Sequence, residues 1–177
     1  MRTRITLALI VAVGLLVGTL QAQVTKETVA GITNFARVET TIACAGATTP
    51  ASMAEVKRLG FRSVINLRQA TENGANVEEE GTAAKAAGLN YVHLPFNAAS
   101  PDPMLVDNFL KAVTEPANQP AFVHCASGNR AAALWMVKRM AVDLWDADRA
   151  STEATALGMT NPALKTFALD WVAAHKK

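Results

Sequence analysis

The sequence predicts an α/β domain: a mainly parallel sheet of four or five strands with helices on both faces. Three observations predict it. Short apolar runs rich in β-branched residues alternate four times with longer stretches of helical periodicity. Those helical stretches open on a cap followed by proline and close on glycine at several points. Helices then accumulate after the last strand, enough to cover both faces of a sheet whose strands read as continuous apolar runs.

The elements follow in order. Residues 23–34 read as a loosely packed lead-in, and residues 36–44 alternate weakly as a first strand. Thr49 and Pro50 then open a helix that Gly60 closes. Residues 62–67 form a short buried strand. Residues 77–87 form a helix ending at Gly88, with Glu78, Glu79 and Glu80 as its solvated face. Residues 91–94 are the next strand. Met104, Leu105, Phe109, Leu110 and Val113 share one face of a helix over residues 103–113. Residues 121–124 are the last strand, followed by a long helix from Asn129. Another helix over residues 152–157 stops at Gly158, and a final one runs from Asn161-Pro162 to residue 174. Trp135, Trp145 and Trp171 fall on helix faces as packing residues.

Charge and composition exclude several functions. Arg2 and Arg4 precede an apolar run over residues 5–16, and Leu20-Gln21-Ala22 follows. This is the layout of a secretory signal peptide spanning residues 1–22, which predicts a periplasmic or secreted product with no stable membrane insertion after cleavage. Lys plus Arg number 17 against 15 Asp plus Glu, and the first 22 residues hold two of the bases, so residues 23–177 balance at 15 against 15. Nothing resembles the basic, aromatic-interleaved surface that nucleic acid demands. Residues 23–177 are enough for a single domain with its own core. The two cysteines, Cys44 and Cys125, match no zinc spacing, and no metal or cofactor is expected. Cys44 reads as a core thiol. A reversible pairing with Cys125 stays open, because spacing alone cannot place two side chains within bonding reach.

The candidate site is the stretch Val123-His124-Cys125-Ala126-Ser127-Gly128-Asn129-Arg130. A strand, a tight turn and a helix start put Cys125 where N–H groups converge and the helix dipole is positive. A thiolate is stabilised in that setting. Gly128 permits a positive φ. Arg130 can grip an oxyanion with two hydrogen bonds. Ala126, Ser127, Gly128 and Asn129 would supply the binding cradle. Arg68, at the end of the 62–67 strand, could contact the anion or form a surface ion pair with Glu72. His124 is expected to orient the loop through hydrogen bonds. In open α/β sheets ligands bind off the carboxyl ends of the strands. That rule brings Leu67-Arg68 and Pro95-Phe96-Asn97 to the same edge as Cys125.

With these residues in place, the chain resembles the cysteine-dependent, dual-specificity-like protein tyrosine phosphatases. It is most similar to their bacterial secreted members and to the phosphatase-like domain of the β-lactamase-hydrolase-like family. The resemblance rests on Gly60-Phe61-Arg62-Ser63-Val64-Ile65-Asn66-Leu67-Arg68, on Gly88-Leu89-Asn90-Tyr91-Val92-His93-Leu94-Pro95, and above all on the Cys125–Arg130 loop. It implies hydrolysis of phosphate monoesters, including phosphotyrosine, carried by a protein or a small molecule. Cys125 would be the nucleophile of a phosphocysteine intermediate, with Arg130 stabilising the transferring group. An aspartate would protonate the leaving oxygen, and Asp102 is the nearest carboxylate to fill that role. Three features depart from the family pattern. The loop is one residue shorter than usual, Ala131 stands where Ser or Thr usually follows the arginine, and Asp102 lies closer to the cysteine than the usual acid. The short loop also fits a rhodanese-like sulfurtransferase working through a Cys125 persulfide. A non-catalytic anion-binding domain is the third reading.

Overall fold

The structure, a computed structural model, describes residues 23–38 and 40–175. The expected signal segment, residues 1–22, lies outside the described residues.

Six strands form one sheet: β1 (Val24–Lys26), β2 (Ala36–Val38), β3 (Ile42–Ala45), β4 (Ser63–Asn66), β5 (Asn90–His93) and β6 (Ala121–His124). Their spatial order is β1-β2-β3-β6-β4-β5, so the last strand in the chain lies in the middle of the sheet. β3, β6, β4 and β5 run parallel, whereas β1 and β2 are antiparallel additions at one edge. The expected count of four or five strands is thus corrected to six. The alternation in residues 36–44 belongs to two strands that reverse through Val38–Thr41, where the Thr41 N–H and hydroxyl both donate to the Val38 carbonyl. The lead-in is also more ordered than its composition suggests, since Val24–Lys26 pairs with β2.

Helices α1 (Met53–Arg58), α2 (Val77–Ala86), α3 (Pro103–Thr114), α4 (Asn129–Ala141), α5 (Ala147–Ala156) and α6 (Pro162–His175) complete the fold. Pro50–Ser52 is a 3₁₀ turn ahead of α1, and the Thr49 side chain makes no capping bond to it. α5 begins five residues earlier than the sequence pattern predicts, because the Asp146 carboxylate caps it through the Arg149 N–H.

Strand alternation divides the core in two. On one face Ile42, Cys44, Ile65, Leu67 and Val123 pack against α3, α4, α5 and α6. On the other, Ala43, Val64, Phe122, Phe35 and Phe61 pack with Met53 and Val56 of α1 and Ala84 of α2. Helices therefore cover both faces, as the apolar runs require. α4 is buried along most of its length, which fits its place between β6 and helices α5 and α6. Trp135 and Trp171 are buried as expected. Trp145 differs: it lies in the α4–α5 turn, packed against the guanidinium groups of Arg139 and Arg149.

Candidate active site

β6 ends at His124, and α4 begins at Asn129, so Cys125 to Gly128 form the whole connection. The backbone must turn within it. Gly128 does so with φ +96°, a conformation that a Cβ would strain. This turn brings the Gly128 N–H to 3.1 Å from Cys125 Sγ. A donor on the sulfur favours the thiolate. The loop is held from outside through its carbonyls. Ala126 O accepts from Ala47 N (3.0 Å), and Ser127 O accepts from the Asn34 amide (3.1 Å). Among the described residues the N–H groups of Ala126, Ser127, Asn129 and Arg130 find no partner. A loop that uses its carbonyls for support and leaves its N–H groups free has the geometry that can cradle an anion.

Arg130 lies in the first turn of α4, and its side chain is 12 % exposed. Its Nη1 donates to the Leu67 carbonyl at 3.2 Å and to the Phe96 carbonyl at 3.0 Å. Nη1 and Nη2 also meet the two oxygens of Glu72, at 2.5 and 2.8 Å. The guanidinium is therefore fixed to the ends of two other strands before any ligand arrives. Burial works against a charged Glu72, but the Arg130 hydrogen bond, the Gln69 N–H, the Arg130 charge and the Arg68 contact outweigh it and hold the carboxylate down to about 2.

Arg68 does not face the cradle as a substrate contact, and its expected surface ion pair is a buried one. The residue is 5 % exposed. Its three nitrogens are engaged by Glu72 Oε2 (3.3 Å), the Gly74 carbonyl (2.7 Å) and the Asn73 carbonyl (2.6 Å). The reason is geometric: the chain folds back after β4, and the arginine closes that loop from inside. Arg68 thus supports Glu72, which supports Arg130. Asn129 is also corrected in part. Its side-chain oxygen accepts from Thr160 N (2.7 Å) and Asn161 N (2.9 Å), so it ties the cradle to the α5–α6 connection, and its Nδ2 donates to Ser127 Oγ at 3.2 Å.

His124 is fully buried, on the sheet face opposite to Cys125. Its Nε2 lies 2.8 Å from Glu80 Oε1, an oxygen that also accepts from Asn66 Nδ2 at 3.0 Å. Tyr91 OH accepts a further bond from Asn66 Nδ2 and donates to the Val77 carbonyl. Glu80 is 0 % exposed, so the expectation of a solvated Glu78–Glu80 face fails at this residue. The signal lay in the spacing. Val77, Glu80, Gly81 and Ala84 occupy i, i+3, i+4 and i+7, the buried stripe of α2. A Cβ on Gly81 would stand 3.0 Å from the Tyr91 ring, so glycine lets α2 approach closely enough for Glu80 to reach His124.

Asp102 caps α3: its Oδ1 accepts from Met104 N at 2.9 Å, in an exposed position. It is the one carboxylate in residues 94–102, the loop whose Phe96 carbonyl touches Arg130. Both cysteines are free thiols and fully buried. Sequence reasoning missed Glu72 as the partner of Arg130, because residues 58 positions apart meet only when the strand order places β4 beside β6.

The family model of the beta-lactamase hydrolase-like protein, phosphatase-like domain, matches residues 34–142. A beta-lactamase hydrolase-like protein of Agrobacterium fabrum is 29 % identical over 103 residues, which are 57 % of this chain and 24 % of that protein. The chain thus spans about a quarter of that relative's length. Among solved structures, Pseudomonas aeruginosa TpbA in complex with pTyr aligns with a TM-score of 0.66 and 18 % identity, covering 89 % of this chain and 98 % of that one. The core catalytic domain of the Saccharomyces cerevisiae PP-IP phosphatase SIW14, in complex with citrate, aligns with a TM-score of 0.65 and 20 % identity, covering 80 % and 87 %. These likenesses establish a shared fold.

Proposed function

Because the chain belongs to the family of the beta-lactamase hydrolase-like phosphatase-like domain, we propose that it hydrolyses phosphate monoesters, with Cys125 as nucleophile. One observation carries this reading. The buried sulfur of Cys125 accepts an N–H at 3.1 Å within a loop of free N–H groups, with Arg130 fixed beside it.

The Cys125 thiolate attacks phosphorus, and the ester P–O bond breaks as the S–P bond forms. The free cradle N–H groups and Arg130 stabilise the charge on the transferring oxygens. Asp102 gives its proton to the departing oxygen. Water then attacks the phosphocysteine, Asp102 takes back a proton, and the S–P bond breaks to release phosphate and thiolate. Ala131 offers no hydroxyl to ease that departure. The Gly128 N–H on the sulfur performs the same stabilisation. Glu72 is unsuited to the acid's role, because Arg130 and Arg68 keep it ionised. Residues 1–22 are read as the export signal of this enzyme, and a mature amino terminus at Gln23 is the expected product of processing.

The test compares an aryl phosphate with thiosulfate plus cyanide as substrates. Turnover of the first alone supports the reading, and turnover of the second alone overturns it in favour of sulfur transfer. Asp102→Asn should slow phenyl phosphate hydrolysis by about 10²-fold and barely affect p-nitrophenyl phosphate, whose leaving group needs no proton. Equal slowing of both would assign Asp102 only its capping role.

A further inference from the structure

A cleft of about 530 Å³ opens beside the cysteine loop, between the β1–β2 connection and the α5–α6 connection. Ser127 and Asn129 form its inner wall, so it is continuous with the anion cradle. Ile32, Phe35 and Leu157 floor it, and Lys26 and Glu27 stand together on its rim. The volume suits a small organic group.

The charges around it are as informative as its shape. The connections that end at this edge of the sheet are residues 46–49, 67–76, 94–102, 125–128 and 157–161. Together they contain one Lys or Arg, and that one is Arg68. Its three nitrogens are already bound to Glu72 and two carbonyls. Residues 27–35 contain no base at all. Lys26 is offset by its neighbour Glu27. The cationic equipment of the site is therefore Arg130 and the loop N–H groups, which is enough for one phosphate. A ligand with several phosphates needs further cations to replace the water it loses, and it would also face Glu72 and Asp102.

We propose that this cleft is a second subsite, which receives the uncharged, apolar body of a singly phosphorylated ester and disfavours polyphosphorylated ligands. The proposal rests on the phosphatase reading for the position of the phosphate. The body lies over the floor formed by Ile32, Phe35 and Leu157 while its phosphate occupies the cradle, and the two are contiguous through Ser127.

The experiment measures binding to the full chain carrying Cys125→Ser, which separates binding from turnover. Phenyl phosphate, 2-naphthyl phosphate, a phosphotyrosyl peptide and inositol hexakisphosphate are titrated by calorimetry. The subsite predicts naphthyl binding about tenfold tighter than phenyl, the increment expected when a modest apolar area enters a pocket. It also predicts inositol hexakisphosphate weaker than either. Thr28→Arg, on the exposed rim of the cleft, should strengthen inositol hexakisphosphate binding several-fold. The peptide arm tells free from protein-borne esters: a gain over phenyl phosphate assigns the body to a peptide, and parity assigns it to a small ester. Equal binding of phenyl and naphthyl phosphate, or tightest binding of inositol hexakisphosphate, would overturn the subsite. Wild-type protein that fails to turn over any ester while the binding preference persists would overturn the hydrolase reading and leave the subsite standing.

Discussion

Cys44 lies in β3, and Cys125 directly follows β6, the parallel strand beside it. Both are 0 % exposed, and both contribute to the same core cluster. Cys44 lies inside β3, in register with Val123. Burial pushes its thiol well above the ordinary range, and the nearby charges of Cys125 and Glu153 push in the same direction. Cys125 comes one residue after the end of β6, where the backbone no longer pairs on both sides. Its sulfur therefore meets the Gly128 N–H as well as its apolar neighbours. The comparison teaches that burial alone does not set a thiol's chemistry. Whether N–H groups point at the sulfur does, and that depends on leaving the strand one residue earlier or later.

The sharpest way to break this contrast is to exchange the sulfur. Cys125→Ser should lower turnover of an aryl phosphate by about 10⁴-fold or more, whereas Cys44→Ala should leave it within a factor of about two. Comparable losses in both variants, measured by steady-state kinetics, would mean that Cys125 has no special standing. Next in size is Arg130→Lys. A point charge cannot make the two-pronged contact, so kcat should fall by about 10²–10³-fold with the circular dichroism spectrum unchanged. Unaltered turnover and vanadate affinity would remove Arg130 from the site.

A smaller effect is expected from Glu72→Gln. The amide still accepts a bond from Arg130 but loses the charge that fixes it, and kcat should drop by roughly tenfold. The same variant tests a pH dependence. Glu72 is depressed to about 2 from the ordinary 4.5, so the unfolded state binds the proton more readily. Its stabilising contribution is complete above the unfolded value and disappears as the pH falls through about 2. Acid unfolding curves of the wild type and Glu72→Gln should therefore differ most at neutral pH and converge near pH 2. Curves that stay parallel throughout would show that the Arg130 pair contributes nothing to folding.

The smallest effect sharpens the comparison directly. Iodoacetamide should label Cys125 in the native protein and reach Cys44 only after denaturation, as read by mass spectrometry of peptides. Cys44→Ala should cost about 1 kcal/mol, from the cavity left between β3 and α4. Labelling of Cys44 at the native rate of Cys125 would end the distinction drawn between them.

Much of this was legible along the chain. The 121–124 strand and the start of α4 at Asn129 match the expected positions, because a short run led by Ala121-Phe122-Val123 and followed by the small-residue turn Ala126-Ser127-Gly128 admits few backbones. β4, α2, β5 and α3 fall within a residue or so of their expected bounds for the same local reasons. The nucleophile, the arginine and the cradle lie within six consecutive residues, so local sequence could show them together. The Arg68–Glu72 pair was legible and the burial of Glu80 was there in its spacing, but the Glu72–Arg130, Asn129–Thr160 and Glu80–His124 contacts were not. Each depends on a partner that is near in space for reasons the local pattern does not carry.

The sequence by itself determined the periodicities, the turn at Gly128, and the one loop in which a thiol, free N–H groups and a guanidinium meet. These follow from sterics and spacing within a few residues. Only the tertiary structure decided what surrounds that loop. Strand order put β6 between β3 and β4, which brought Glu72 to Arg130 and set Cys44 beside Cys125. The close packing of α2 buried Glu80 against His124. The β1–β2 edge and the α5–α6 connection shaped the adjoining cleft. The physical reason is that a side chain's chemistry depends on which charges and dipoles reach it, and chain folding brings those together from segments far apart in sequence.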